Sequence, residues 1–178
     1  MESGTTELAL TDFDVNEVAR RVLISRMAQI DDKRIEVAAE FENEACFVRA
    51  DQDQIEQVII NLVDNAIKFT PENGHLTVST RRDGDHVSLR VRDDGIGILP
   101  EDAAHIFDRF YKADKAHTVG KGTGLGLAIC QRIMERHGRT IRLISGEGGA
   151  EFEVTLTPGK QEGGGHADHG AGEDQLDA

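Results

Sequence analysis

The chain has 178 residues, enough for one domain and a tail but tight for two. Its 33 Asp and Glu outweigh 20 Lys and Arg for a net charge of -13, which repels nucleic-acid phosphates and anionic lipid heads and argues against nucleic acid as a partner. No apolar run reaches transmembrane length and no signal pattern opens the chain. Cys46 and Cys130 lie far apart within apolar patterns, as buried thiols do in a reducing compartment, and they leave no thiolate cluster for zinc.

In chain order, residues 1–11 read as a mobile lead-in. Asp14 and Glu17 then fit a capping box, and Val15, Val18, Ala19, Val22 and Leu23 recur at helical spacing, predicting a helix to about Ile30. Ile35 to Phe41 and Cys46 to Val48 read as short strands. The clearest helix covers 52–69, where Ile55, Val58, Ile59, Leu62, Val63, Ala66 and Ile67 make a wide apolar face that ends before Pro71, Asn73 and Gly74. Strands around Leu76–Val78 and Val87–Val91 flank a turn at Asp83-Gly84. A Gly-rich connection over 94–123 carries the amphipathic patch Ile106 to Tyr111. A helix over 125–137 stops at Gly138, and strands at 140–145 and 151–157 close a domain spanning 12–158. Residues 159–178 hold a net charge of about -4 and almost no apolar side chains, so they read as a disordered acidic, Gly-rich tail whose two histidines are solvated.

Asn61, Asn65 and Lys68 share one face of the 52–69 helix. A solvated surface explains such a stripe. Yet Asn is a poor helix-interior residue, and two in one register suit hard oxygen ligation of Mg²⁺ with a lysine one turn on for phosphate. Asp93, Asp94, Gly95, Ile96 and Gly97 follow an alternating strand. They fit a simple turn. They also fit a carboxylate that accepts from an exocyclic amine, with glycines letting a flat ring approach. Gly120, Gly122, Gly124 and Gly126 alternate with Lys121, Thr123 and Leu125 just before a helix. Helix propensity opposes each such glycine by about 1 kcal/mol, so the run reads as a loop delivering N–H groups and a helix N-terminus to an anion. Lys121 is followed by Gly122 rather than Ser or Thr, which excludes a P-loop. The spacing and the antiparallel neighbours exclude a dinucleotide fingerprint.

In this fixed order the motifs resemble the catalytic ATP-binding domain of sensor histidine kinases, within the superfamily that includes DNA gyrase, the heat-shock chaperone ATPase and mismatch-repair ATPases. Asn61–Thr70 looks like the N box, Asp93–Gly97 the G1 box, Phe107–Phe110 the F box and Gly122–Gly126 the G2 box. The resemblance implies an α+β fold: a two-layer α/β sandwich of the Bergerat type, with a mixed, mainly antiparallel sheet covered on one face by helices and a mobile lid over 98–123. It implies ATP and Mg²⁺ as cofactors. Asn65 would coordinate the metal with Asn61 beside it, and Lys68 would contact phosphate. Asp93 would read the adenine amine with Gly95 and Gly97 permitting its approach. Lys121, Gly122, Thr123, Gly124, Leu125 and Gly126 would bring the lid to the phosphates. Ala150 stands where the family often has Ser or Thr near the adenine.

ATP hydrolases of this superfamily carry a Glu where this chain has Asn61, and an amide has essentially no basicity. Glu56, five residues earlier, points about 140° away on the helix. A kinase whose nucleophile comes from elsewhere fits better. None of the histidines occupies the place of a phospho-acceptor before the domain, so the resemblance implies a catalytic fragment, monomeric by itself. Its partners would be a separate dimerisation and histidine-phosphotransfer domain and, downstream, a response regulator. The expected location is the cytoplasm, including the cytoplasmic part of a membrane-anchored sensor. The alternatives are a stand-alone serine kinase resembling anti-sigma-factor kinases, acting as an ATP-dependent protein-binding switch, and a structural module with a dead pocket.

Overall fold

The computed structural model describes residues 7–111 and 125–161. The order of elements is β1 (Leu10–Asp14), α1 (Val15–Ser25), α2 (Met27–Asp32), β2 (Glu36–Phe41), β3 (Phe47–Asp51), α3 (Gln52–Phe69), β4 (His75–Asp83), β5 (His86–Asp93), α4 (Pro100–Ala103), α5 (Gly126–Arg136), β6 (Ile141–Ser145) and β7 (Ala150–Pro158). The seven strands form one sheet in the order β1-β3-β7-β5-β4-β2, with β6 also pairing β7. Every pairing is antiparallel except β2 with β4, so the sheet is mixed and mainly antiparallel.

Strand alternation decides which face is covered. Leu76, Val78 and Thr80 on β4, Val87, Leu89 and Val91 on β5, and Phe152, Val154 and Leu156 on β7 all turn inward and are buried. Seven apolar residues of α3 meet them from the helical layer, the Val, Ile and Leu among them each contributing about 1.5–3 kcal/mol on burial. The residues between, including Thr77, Ser79, Arg81, Arg90, Arg92 and Glu151, are polar and turn to the other face. This is the two-layer sandwich that the motif order implies.

Several local expectations need correction. Strand β1 starts at Leu10, inside the stretch read as a lead-in, because its backbone pairs with β3 from Asp51 to Phe47. The single helix expected over 14–30 is broken at Arg26 into α1 and α2. Arg26 is held there by a two-pronged ion pair with Asp64 of α3, Nε to Oδ1 at 2.6 Å and Nη2 to Oδ2 at 3.2 Å. Asp14 caps α1 as expected, its Oδ1 accepting from the amides of Asn16 and Cys46. Glu17 does not complete the box; its carboxylate accepts from Arg20 instead. Asn16 is fully buried and ties α1 inward, donating to the Asn43 carbonyl and accepting from Thr80 Oγ1. At the other end, Gly159 and Lys160, placed in the tail by composition, still donate from their amides to Phe47 O and Asp12 Oδ1. The rest of the expected tail, 162–178, lies outside the described residues. So do residues 112–124, including Lys121, Gly122, Thr123 and Gly124 of the G2 motif and most of the expected lid.

Candidate nucleotide site

Asp93 ends β5 and is 3 % exposed. Its Oδ1 accepts from the Gly95 amide at 2.8 Å and the Ala150 amide at 3.3 Å, so both bonds fix the same oxygen. Burial pushes the carboxyl above its ordinary value, and the two amides only partly offset this. No cationic side chain is paired with it among the described residues. A buried carboxylate with so little compensation is a costly arrangement for the fold alone.

The glycines after Asp93 have a structural reason beyond room for a ring. A side chain at Gly95 would strike the Phe69 carbonyl oxygen at the end of α3. The turn before β7 presses on the same loop from the opposite side: Gly149, at φ 121°, lies against the Asp93 carbonyl oxygen, where no side chain fits. Ile98 N donates to Gly146 O at 3.0 Å and pins the far end of the loop, with Gly97 between. Gly146, Gly149 and the Ala150 amide therefore build the site, and sequence reasoning passed over them. The run Gly146-Glu147-Gly148-Gly149 directly before an alternating strand was the signal available. Ala150, noted for its lack of a hydroxyl, contributes its backbone instead.

The end of α3 that meets this loop is itself secured. Lys33 Nζ donates to the Ile67 and Lys68 carbonyls, at 2.7 and 3.3 Å, where the helix runs out of internal partners. Asp94 lies just outside, its Oδ1 accepting from the His75 amide and its Oδ2 meeting His75 Nδ1 at 2.8 Å. Upward from Phe69, the polar stripe of α3 runs through Lys68, Asn65 and Asn61, all half-buried. Lys68 Nζ sits 5.0 Å over the Phe69 ring. The Asn65 amide makes no hydrogen bond among the described residues. Asn61 is engaged on both sides: Nδ2 donates to the Gly126 carbonyl at 3.2 Å, and Oδ1 accepts from the exposed Gln57 at 2.9 Å.

Gly126 is the first residue of α5 and Leu125 its N-cap position, so Asn61 joins the stripe to the start of the second helix. Helix α5 runs antiparallel along α3, with Cys130 Sγ near Val58 O and Arg136 Nη1 donating to Gln54 Oε1. Burial pushes the Cys130 thiol up to about 12, so it is a packing group and not a nucleophile. Of the F motif, Phe107 packs edge-on against core Phe152 at 6.1 Å. Phe110, at φ 65°, is 67 % exposed at the edge of the described chain.

The structure thus brings Asp93, Gly95, Gly97, Lys68, Asn65, Asn61, Leu125 and Gly126 into one region between α3, the 93–98 loop and the start of α5. Among the described residues, no three His, Cys, Asp or Glu side chains are placed to hold a metal ion. A cation here would rely on amide oxygen and on the ligand's own oxygens, which is how Mg²⁺ is commonly held beside phosphates. None of the described helices is long and apolar enough to cross a membrane.

Residues 50–160 match the family model described as histidine kinase-, DNA gyrase B- and HSP90-like ATPase. The chain is 39% identical over 146 residues to the sensor histidine kinase WalK of Bacillus subtilis (strain 168), covering 79% of this chain and 24% of that protein. It is 36% identical over 149 residues to the sensor-like histidine kinase SenX3 of Mycobacterium tuberculosis (strain H37Rv), covering 83% and 36%. The chain thus spans about a quarter to a third of these relatives. Among solved structures, the nucleotide-free catalytic domain of histidine kinase ThkA superposes with a TM-score of 0.76 at 34% identity, over 85% of this chain and 99% of that one. ThkA in complex with the response regulator TrrA superposes at 0.73 and 32% identity, over 84% and 42%. With the motifs in order, the sandwich around them and these matches, the chain belongs to the histidine kinase-, DNA gyrase B- and HSP90-like ATPase family, as an ATP-binding catalytic domain of the sensor-histidine-kinase kind.

Proposed function

We propose that this domain holds Mg-ATP and presents its γ-phosphoryl group to a histidine on a separate dimerisation domain, from which the group passes to a response regulator. The observation that carries this reading is the Asp93 carboxylate, buried, with one oxygen fixed by Gly95 and Ala150 amides and no cationic side chain paired with it among the described residues. Such a group suits the exocyclic amine of adenine, a neutral donor that supplies the missing hydrogen bond. Gly95 keeps the loop close to the end of α3 and Gly97 keeps it against the Gly146–Gly149 turn, so the base enters beside the end of that helix.

Asn65 has the side chain best placed to turn its amide oxygen toward a divalent cation, since nothing described holds it elsewhere. Asn61 stands one turn away and first serves to join α5; among the described residues exposed Gln57 is the partner on its oxygen side, so it can release that oxygen to the ligand. Mg²⁺, when bound, supplies neutralisation of the phosphate charge. Lys68 adds a cation to the same face, and Leu125 with Gly126 opens the α5 N-terminus toward the phosphates. In the same reading Lys121, Gly122, Thr123 and Gly124 of the motif, outside the described residues, contact the phosphates. Asn61 cannot take a proton from water, so the chain's residues orient the phosphoryl group and leave its acceptor to the partner. ThkA, described in complex with a response regulator, supports the downstream partner by likeness.

Calorimetry with and without Mg²⁺ tests the binding step: the domain binds ATP with Mg²⁺ and much more weakly with chelator. Mixing it with the dimerisation domain of a similar sensor kinase and labelled ATP tests transfer. Acid-labile label on the partner supports the histidine reading; acid-stable label on a serine would replace it with the anti-sigma-like alternative.

A further inference from the structure

His137 follows the last residue of α5, twelve residues beyond Leu125 and at the opposite end of the helix from the nucleotide site. Its ring makes two bonds to groups whose roles admit no ambiguity. Nδ1 lies 2.8 Å from the Ile133 carbonyl, which only accepts. Nε2 receives the Asp51 backbone N–H at 3.1 Å, which only donates. The ring must therefore carry its proton on Nδ1 and none on Nε2. The first bond satisfies an orphan carbonyl of the last turn of α5, which a simple helix cap would explain. The second does not follow from capping. It crosses to the residue that ends β3 and N-caps α3, whose carboxylate is already occupied by the amides of Gln54 and Ala9.

At its other end α5 is joined to α3 through Asn61 and the Gly126 carbonyl. Between the two clamps, Cys130 meets Val58 and Arg136 meets Gln54. An 11-residue helix fixed at both ends on its neighbour cannot tilt. Loosened at the C-terminal end, it can slip along α3 and carry its own N-terminus, the part turned toward the phosphates, out of register with Asn61.

We propose that His137 is a positioning residue for nucleotide binding, holding α5 in register on α3 by bridging the Ile133 carbonyl and the Asp51 amide. This rests on the reading of Asn61, Gly126 and their surroundings as the phosphate side of an ATP site. Arg136 and Asp51 have side-chain partners of their own, and the bridge is made of hydrogen bonds to two backbone groups.

Two conservative substitutions separate the bonds. His137→Asn places its amide near the Nδ1 position, keeping the cap and losing the bridge. His137→Gln places its amide oxygen near the Nε2 position, keeping the bridge and losing the cap. Calorimetric titration of the full chain with Mg-ATP is expected to show His137→Asn weakened about three- to tenfold and His137→Gln within about twofold of the parent, the scale of one net hydrogen bond. A role confined to helix stability would instead lower both melting temperatures and leave both affinities unchanged. Because coupling between sites is reciprocal, Mg-ATP should also slow hydrogen exchange of the Asp51 amide in the unmodified chain, a readout that needs no variant to fold. Equal affinities of the two variants, or Asp51 exchange indifferent to nucleotide, would overturn the proposal while leaving ATP binding intact. A parent chain that binds no Mg-ATP defeats the functional reading itself and takes this one with it.

Discussion

Two carboxylates on neighbouring strands are equally hidden from water and are treated in opposite ways. Asp93 of β5 and Glu153 of β7 are each 3 % exposed. Glu153 lies on the sheet face away from the helices, where Ser88 Oγ donates at 2.7 Å, Arg90 through Nε and Nη2 at 3.1 and 3.0 Å, and Arg142 through Nε at 2.9 Å. Burial pushes its pKa up, but Ser88, Arg142 and Arg90 outweigh that and hold it below the ordinary value. Asp93 has two backbone amides on one oxygen and, among the described residues, no paired cationic side chain; the charge of Arg92 acts on it only weakly, and it stays above the ordinary value. Glu153, which serves the fold, is saturated with donors; Asp93, which the proposed function assigns to a ligand, is left short of them. The difference separates a structural carboxylate from a functional one where burial alone does not.

The largest effect that sharpens this contrast is expected beside Asp93. Asn65→Ala should abolish Mg²⁺-dependent ATP binding in calorimetry while the melting temperature holds, because a half-exposed side chain with no described partner adds little to the fold. Next, Asp93→Asn should weaken ATP binding by about 1.5–3 kcal/mol, roughly 10- to 150-fold. The same variant should not destabilise the empty domain. A raised carboxyl pKa means that folding favours the neutral acid, so its stabilising contribution is present at low pH and lost as pH rises through the folded value. A neutral amide removes that loss, and denaturant titration at neutral pH should show equal or higher stability.

Glu153→Ala should do the reverse, costing about 1–3 kcal/mol of stability by leaving Ser88 and the two arginines without their acceptor, with ATP affinity unchanged. Its lowered pKa works in the opposite sense to that of Asp93. The stability it adds is present above the ordinary carboxylate range and is lost as pH falls through the lowered value, so the acid limb of the parent's stability profile should flatten in this variant. The smallest effect concerns thiols. In the native domain half-buried Cys46 should label before Cys130, whose thiol is fully buried and pushed up to about 12.

The parts of this contrast differ in how far they can be read in the residues. Helix α3 announces itself because seven apolar residues repeat at its own period, and the β4–β5 hairpin because alternation brackets a glycine turn. Asp93 is visible as a carboxylate between a strand and glycines, and the order of the motifs then gives it a role. Glu153 is invisible: it sits in an alternating strand as one more outward polar residue, and only the register of β5, β6 and β7 brings Ser88, Arg90 and Arg142 around it. The same non-local pairing hides β1, whose residues are mostly exposed or half-buried and whose partner lies 33 residues on at the Asp14–Phe47 fringe, with Val48 against Phe13 and Asp51 against Leu10. It hides the parallel pairing of β2 with β4 as well. The break at Arg26 depends on Asp64, 38 residues away, and the bridge from His137 on Asp51, 86 residues away. Periodicity reports what a segment buries; it carries no record of which distant segment supplies a partner.

The central claim is that Asp93 reads a donor on the base. Calorimetric titration of the unmodified domain with Mg-ATP and with Mg-ITP, which carries a carbonyl oxygen in place of the amine, tests this most directly. The account predicts that ATP binds at least about tenfold more tightly, because a buried acceptor facing another acceptor is left unpaired. Equal affinity for the two nucleotides would contradict it.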